Sequence, residues 1–203
     1  PVVMGARTVM AYQTIVSRNI PAQEPAVLTV GAMQVGETHN VIPETGTLKV
    51  NLRWYEKSTR QTLLDAIKRE TQGIADAAGV PEERAPTYTM LGYAEPVVNA
   101  PSLAEQANAT LSASLGKKRL MPGIPPVMGS EDFPMLVAGI EGAETLFVEV
   151  GGGAADVMKN YMQTGELPPL NHNPKFRIEN PALAITTAVE ANSALLLDAF
   201  QAK

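Results

Sequence analysis

Residues 47–55 (TLKVNLRWY) alternate between apolar and polar side chains, and this pattern restricts the fold more than any other feature of the sequence. Such alternation is typical of an antiparallel strand with one face buried and the other in solvent. An amphipathic helix follows from Ser58, which has capping-box spacing to Gln61, and Gly79 and Pro81 are predicted to end it. This part of the chain is therefore predicted to hold an antiparallel strand followed by a long helix.

The neighbouring segments extend this order of elements. Helical spacing of apolar residues predicts a helix over 2–19, and β-branched residues predict strands over 26–35, with a bulge at Gly31, and over 87–91. The order helix, strand, strand, helix, strand matches a ferredoxin-like βαββαβ unit if one more strand precedes Pro1. We therefore expect the chain to begin at an interior position of a longer protein.

The character of the sequence changes near residues 93–96, where we place a domain boundary. A small-residue helix is predicted over 101–115, and a Pro/Gly-rich loop over 123–133 leads into a short helix over 133–137. Residues 145–150 (TLFVEV) form a nearly continuous apolar run, which predicts a strand buried on both faces in a parallel sheet.

The C-terminal stretch is predicted to end in a helix over 182–200, with Asn180 as its cap and Pro181 in its first turn. Residues 154–169 are interpreted as an exposed loop or a short helix. The residues of the last helix that we expect to be buried are Ile185, Val189, Leu196 and Phe200.

Length and composition limit the possible functions. A chain of 203 residues, 45% of them hydrophobic, can form one large domain or two small ones. The net charge of −5 argues against nucleic acid or an anionic membrane as the main partner, and the lack of cysteine excludes disulfides and thiolate metal ligands within the chain. No apolar run approaches the ~20 residues of a membrane span, so a soluble protein is expected, with cytoplasmic and periplasmic or secreted locations both open.

Residues 38–43 (THNVIP) contain one of the two histidines of the chain. The segment lies between two predicted strands, so His39 and Asn40 are expected on a loop or a strand end. An imidazole followed by a carboxamide is suited to hold a carbonyl oxygen or an oxyanion. A histidine that caps its own turn would give the same pattern.

Three further features allow both a structural and a functional interpretation. Ser130, Glu131 and Asp132 either cap the short helix that follows them or mark a site. The glycines at 151–153 could cradle a phosphate, but no Lys-Ser/Thr follows them, which favours a close backbone turn. His172 either has a structural role or binds a metal with ligands that lie elsewhere, since a metal site needs three or more.

Three segments together resemble the two-metal amidohydrolase family that includes hippurate hydrolase, indoleacetyl-amino acid hydrolases, aminoacylase and zinc carboxypeptidases. They are residues 36–43 (GETHNVIP), 128–133 (MGSEDF) and 172–176 (HNPKF), the last followed by a terminal helix. The resemblance covers essentially the whole chain, and it is strongest to the hippurate hydrolase-like branch.

The resemblance implies a two-domain architecture of α/β class. Residues 1–93 would be a ferredoxin-like α+β lid or dimerisation domain that lacks its first strand. Residues 94–203 would be the C-terminal part of an α/β catalytic domain with a mostly parallel sheet. If half of the catalytic domain is absent, the strand predicted over 145–150 should have exposed apolar faces.

The resemblance also implies roles for five residues and a partner subunit. In a homodimer formed through the lid, His39 would reach across to the substrate carbonyl and stabilise the oxyanion. Substrate contact would fall to Asn40 and, in the loop matched near the site, to Ser130 and Glu131. His172 would be the last metal ligand.

The implied reaction is hydrolysis of the amide bond of N-acyl amino acids or short peptides with two divalent ions, zinc or alternatively manganese, cobalt or nickel. The general base and the other metal ligands would lie upstream of these residues, so this polypeptide alone is expected to be an inactive fragment. One alternative is a catalytically silent dimerising or ligand-binding module, and another is an unrelated α/β protein with two structural histidines.

Overall fold

The computed structural model of the chain describes residues 1–121, 126–153, 155–169 and 171–201. Within them the helices are α1 (Val2–Asn19), α2 (Lys57–Ala77), α3 (Pro101–Leu115), α4 (Ala155–Thr164) and α5 (Pro181–Gln201), and the strands are β1 (Ala26–Val35) and β2 (Gly46–Trp54). Short 3₁₀ helices lie at Glu82–Arg84, Lys117–Arg119 and Phe133–Leu136. The predicted positions of α1, α2, α3, α5 and the first two strands are confirmed to within a few residues at each end, and α4 lies in the region where a loop or a short helix was expected.

The chain forms two compact units. The hairpin unit consists of Pro1–Val97 together with Pro126–Ala138, and the helical unit contains the described residues of 98–125 and 139–203. The segment 126–138 thus lies with the hairpin unit, although the residues on both sides of it in the sequence belong to the helical unit.

The two strands form an antiparallel hairpin at the centre of the hairpin unit. Val35 pairs with Gly46 next to the connecting loop, and Ala26 pairs with Trp54 at the far end. The register shifts beside Gly31, which confirms the bulge predicted there.

Helices α1 and α2 pack on one face of this hairpin and form the core. Ile15 on α1 and Leu63 on α2 are 1% and 0% exposed. The strand residues packed against this core include Leu28, Val30, Leu48, Val50 and Leu52. Burying a large aliphatic side chain stabilises a fold by about 1.5–3 kcal/mol, so the alternating pattern of β2 places its apolar side where it contributes most.

The helical unit is held by contacts between α3 and α5. Ala107, Leu111 and Ala191 are its buried apolar residues among those described. The Gln106 side chain donates a hydrogen bond of 2.7 Å to the carboxylate of Asp198.

At the start of α5, the Asn180 side chain accepts a 3.0 Å hydrogen bond from the Leu183 N–H. The predicted cap is therefore confirmed, and Pro181 occupies the first position of the helix.

Two predicted strands are wrong. Residues 87–91 and 145–150 are not strands, and the hairpin is the sheet found in the described part of the chain, so the predicted parallel sheet is not found there. Strand structure requires a backbone ladder on a neighbouring strand. Residues 145–147 instead bond to the side chain of Asn99 and to the N–H of Ala100. The mixed helix-and-strand content remains consistent with the α/β class.

Exposure agrees with expectation at 145–150, whereas the burial of α5 and the capping of α2 differ from it. Val148 and Val150 are 41% and 38% exposed, in agreement with the expected exposure of apolar faces at 145–150. The residues of α5 predicted to be buried, namely Ile185, Val189, Leu196 and Phe200, are 58–72% exposed. The apolar pattern of α5 fixes which side of the helix is apolar, but it does not determine whether another element covers that side.

Helix α2 has Glu56 at its cap position with no side-chain hydrogen bond to the cap, so the predicted Ser58 capping box is wrong.

Helix α5 also corrects the expectation that no segment approaches a membrane span. Over its 21 residues it is long and apolar enough to cross a membrane, by length and composition alone. The core helices of soluble proteins can have the same length and composition.

Candidate functional site

The loop that joins β1 to β2, residues 36–45, carries His39 and Asn40 in a turn, and both residues are exposed. Gly36 enters the loop with φ +80°, and a Cβ atom at this position would lie 3.3 Å from Cγ of Pro43. The left-handed backbone and the close proline define the base of the loop. The predicted loop position of His39 and Asn40 is therefore confirmed.

The same loop is tied to the segment that follows α2. Glu44 forms an ion pair with Arg84 in the 3₁₀ helix Glu82–Arg84. Both side chains are exposed, so the pair contributes at most about 1 kcal/mol to stability. Its structural effect is to link the C-terminal side of the loop to a second point of the hairpin unit.

Ser130 and Glu131 are exposed residues of the segment 126–138. They precede the 3₁₀ helix Phe133–Leu136, whose cap position is held by Asp132 without a side-chain hydrogen bond. Helix capping therefore does not account for this Ser-Glu-Asp sequence, and the capping interpretation is wrong.

The segment 126–138 is attached to the hairpin by two side chains, one in β2 and one on the residue that follows β2. The Tyr55 hydroxyl donates a 2.6 Å hydrogen bond to the carbonyl of Val127. The guanidinium of Arg53 donates to the carbonyl of Met128. Neither contact is predictable from the sequence, because partners so distant in the chain leave no local pattern.

The segment that carries Ser130 and Glu131 is attached to the hairpin at the end of β2 that is remote from the loop of His39 and Asn40. The loop 36–45 lies at the Gly46 end of β2, whereas Arg53 lies at the other end. At ~3.3 Å per strand residue, the two ends are about 23 Å apart. The unit therefore does not place the base of the His39 loop next to the anchor of the segment that carries Ser130 and Glu131.

His172 lies in the helical unit, in a turn between α4 and α5, and is exposed. Its φ is +70°, and it is the one non-glycine residue with positive φ in the described ranges. Such a backbone costs roughly 1–2 kcal/mol outside glycine. The following Asn173 stabilises the turn, since its side chain accepts a 2.9 Å hydrogen bond from the Lys175 N–H. Residues with strained backbone cluster at active sites and ligand-binding sites.

The described residues do not form a metal centre by themselves. Across 1–121, 126–153, 155–169 and 171–201, no group of three or more His, Asp or Glu side chains could hold a metal ion. A zinc site takes three or four protein ligands. The residues present therefore do not fit a two-metal centre, and His172 is at most one ligand of such a site.

A cluster that the sequence analysis did not identify lies where β2 ends. The guanidinium of Arg60 lies 5.4 Å from the ring centroid of Trp54 and 4.7 Å from that of Tyr93, and the two rings are stacked 6.1 Å apart. Lys57 forms a 3.2 Å ion pair with Glu95. The hydrogen bond from the Tyr93 hydroxyl lowers the pKa of Glu95 and raises the pKa of Tyr93. The cluster holds Tyr93 and Glu95 against the first turns of α2.

The chain is similar to several known hydrolases over most of its length. It is 29% identical over 133 residues to hippurate hydrolase from Campylobacter jejuni, and this alignment covers 66% of this chain and 34% of that protein. It is 25% identical over 197 residues to N-acetylcysteine deacetylase from Bacillus subtilis, which covers 97% of this chain and 46% of that protein. No family model matches the chain.

The fold is similar to that of a solved structure assigned as an aminohydrolase from methicillin-resistant Staphylococcus aureus. The match has a TM-score of 0.66 at 25% identity and covers 97% of this chain and 44% of that chain. The chain thus spans less than half the length of each of these relatives.

Proposed function

Because the chain belongs to the amidohydrolase family that includes hippurate hydrolase and N-acetylcysteine deacetylase, we propose that it contributes to hydrolysis of the amide bond of N-acyl amino acids or short peptides. The observation that carries this proposal is that all three segments of the family resemblance contain exposed turns or loops. His39 lies in the β1–β2 loop, Ser130 precedes a 3₁₀ helix, and His172 lies in a turn before α5. Polar residues on loops of a packed scaffold are typical of binding and catalysis.

In this proposal, His39 and Asn40 act on the substrate carbonyl. The imidazole of His39 donates a hydrogen bond to the oxyanion that develops on the carbonyl oxygen, and the carboxamide of Asn40 contacts the substrate. A preorganised oxyanion donor accelerates such reactions by roughly 10²–10³-fold. The constrained base of the loop supports this role, because a donor must keep its position during the reaction.

The separation within the hairpin unit favours a site shared between two subunits. The His39 loop and the anchor of the Ser130 and Glu131 segment lie at opposite ends of β2. In this proposal both groups contact one substrate, and a second chain supplies one of them. We therefore propose a homodimer, formed through the hairpin unit, in which His39 serves the site of the partner.

His172 is proposed to be one ligand of a centre of two divalent ions, with zinc as the first candidate and manganese, cobalt or nickel as alternatives. Bound ions of this kind polarise carbonyl oxygens and activate water. The remaining ligands and the general base would come from sequence outside these 203 residues.

The proposal is tested by hydrolysis of N-acetyl and N-benzoyl amino acids by the natural gene product that carries these residues, with zinc or manganese added. The His39→Ala variant should lower kcat by about 10²-fold with a smaller change in KM. Thr45→Ala, at an exposed position of the same loop, is the matched control and should leave kcat unchanged. A wild-type protein that binds N-acyl amino acids but never hydrolyses them would support the silent binding module instead.

A further inference from the structure

Arg53, near the end of β2, and Tyr55, just after it, both donate hydrogen bonds to backbone carbonyls of the segment 126–138. The Tyr55 hydroxyl bonds to the Val127 carbonyl at 2.6 Å, and the guanidinium of Arg53 bonds to the Met128 carbonyl. The Nε–H of Arg53 also donates to the side-chain oxygen of Asn51 at 3.3 Å, which orients the guanidinium. The charged donor gives the stronger of the two carbonyl contacts, because hydrogen bonds from ionised groups exceed neutral ones.

These contacts explain an irregularity in how the chain is divided. The segment 126–138 belongs to the hairpin unit, whereas the residues before and after it belong to the helical unit. Arg53 and Tyr55 bind two consecutive carbonyls at its beginning, and both side chains are half-buried. The segment is thus attached to the hairpin through backbone carbonyl groups, and the side chains of Ser130 and Glu131 within it are exposed.

The attachment lies close to two candidate substrate residues. Ser130 is two residues beyond Met128, so the Cα atoms of these two residues lie within about 7 Å of each other. Glu131 follows directly. A loop fixed so near its functional residues has little freedom to move them. Misplacement of a substrate-positioning group by ~1 Å can lower a rate by roughly 10²-fold.

We propose that Arg53 and Tyr55 are positioning residues of the hydrolase, which hold the Ser130–Glu131 loop in its substrate-binding position. This inference rests on the proposed function, because it assumes that Ser130 and Glu131 contact the substrate. Its structural part, the clamp itself, does not depend on any activity. The two parts can therefore be tested separately.

The clamp is tested by hydrogen exchange in the 203-residue polypeptide. In Arg53→Ala and Tyr55→Phe, amides inside the segment, such as that of Met135, should exchange faster, by about tenfold in Arg53→Ala. Lys49→Ala changes an exposed residue on the same face of β2 and should leave the exchange of 126–138 unaltered. Unchanged exchange in both clamp variants, with the fold intact, would overturn the inference.

The positioning role is tested by kinetics of the natural gene product on N-acetyl and N-benzoyl amino acids. Arg53→Ala should raise KM and lower kcat/KM about tenfold, and Arg53→Lys should restore part of the loss. If Arg53 acts through the loop, its effect should largely vanish when Ser130→Ala and Glu131→Gln are already present. Full additivity with these loop substitutions would overturn the positioning role.

The results separate this inference from the proposed function. A wild-type protein without hydrolytic activity would refute the proposed function and with it the positioning role, while the exchange measurement would still decide whether the clamp exists. An active wild type whose Arg53→Ala and Tyr55→Phe variants retain full kcat/KM would refute the positioning role alone.

Discussion

Gly36 and His172 are two residues of the candidate site segments whose backbone lies in the left-handed region. Their φ angles are +80° and +70°. Glycine adopts this conformation freely, whereas histidine does so at a cost in free energy. The loop that presents His39 thus begins at a residue suited to its conformation, while the turn at His172 keeps a conformation that glycine would adopt more easily.

Substitution of Gly36 tests whether the His39 loop depends on this backbone. Gly36→Ala should lower the free energy of unfolding by about 1–2 kcal/mol, because a Cβ is strained at this φ and meets Pro43 at 3.3 Å. Gly73→Ala on α2 is the matched control, with nothing within 4 Å of its Cβ, and should raise that free energy by about 0.5–1 kcal/mol. Urea denaturation measures both values, and a change of the same sign in both variants would contradict this account of the loop.

At the scale of secondary-structure elements, β2, α2 and the residues around 95 meet in one cluster. Arg60 on α2 lies over the rings of Trp54 and Tyr93, and Lys57 pairs with Glu95. Cation–π contacts at partly exposed positions contribute about 0.5–1 kcal/mol each. This cluster therefore connects the end of the hairpin to the beginning of α2 and to the segment that follows.

The cluster predicts a pH-dependent contribution to stability. The hydrogen bond from Tyr93 is the main reason why the pKa of Glu95 lies below its ordinary value. Stabilisation through the ionised carboxylate is therefore present above the ordinary carboxyl pKa and is lost as the pH falls through the lowered value. In Tyr93→Phe, the pKa of Glu95 should rise and the stability difference from the wild type should shrink in acid.

Carboxyl-carbon NMR titration and urea denaturation at neutral and acidic pH measure these two effects. Tyr88→Phe is the control, because the Tyr88 hydroxyl donates to the Lys68 carbonyl at 3.4 Å rather than to a carboxylate. The pKa of Glu95 should be the same in this control as in the wild type. A Glu95 pKa that does not change in Tyr93→Phe would show that the hydrogen bond is not its main cause.

The sequence predicts the type and position of a helix or strand better than it predicts which other elements pack against it. The alternation of 47–55 and the helical spacing of 2–19 give β2 and α1 correctly, because a half-buried element carries its own pattern. The apolar run 145–150 and the apolar side of α5 mislead, because apolar character does not reveal whether another element covers that surface. Strand formation and burial both depend on partners, and these are properties of the tertiary structure.

In the candidate site, too, local features could be predicted from the sequence, whereas contacts between distant residues could not. The loop positions of His39 and Asn40 follow from two flanking strands, and the family resemblance supplies their proposed roles. The clamp by Arg53 and Tyr55 could not be predicted, since it joins residues more than seventy positions apart in the sequence. Side chains that bind a distant backbone carbonyl leave no pattern of spacing or composition.

At the scale of the whole molecule, the candidate residues are divided between the two units. His39, Asn40, Ser130 and Glu131 belong to the hairpin unit, and His172 belongs to the helical unit. The His39 loop and the Ser130 anchor lie at opposite ends of β2, and in the proposed function one active site draws on two chains. The homodimer is therefore central to the proposed function.

Complementation between two inactive variants tests this account most directly. In the natural gene product, His39→Ala and His172→Ala should each abolish nearly all hydrolysis of N-acyl amino acids. When the two variants are co-refolded, random pairing makes half of the dimers mixed, and each mixed dimer would contain one intact site, so about a quarter of wild-type activity should return. A mixed preparation that forms dimers but remains as inactive as the separate variants would contradict the shared site.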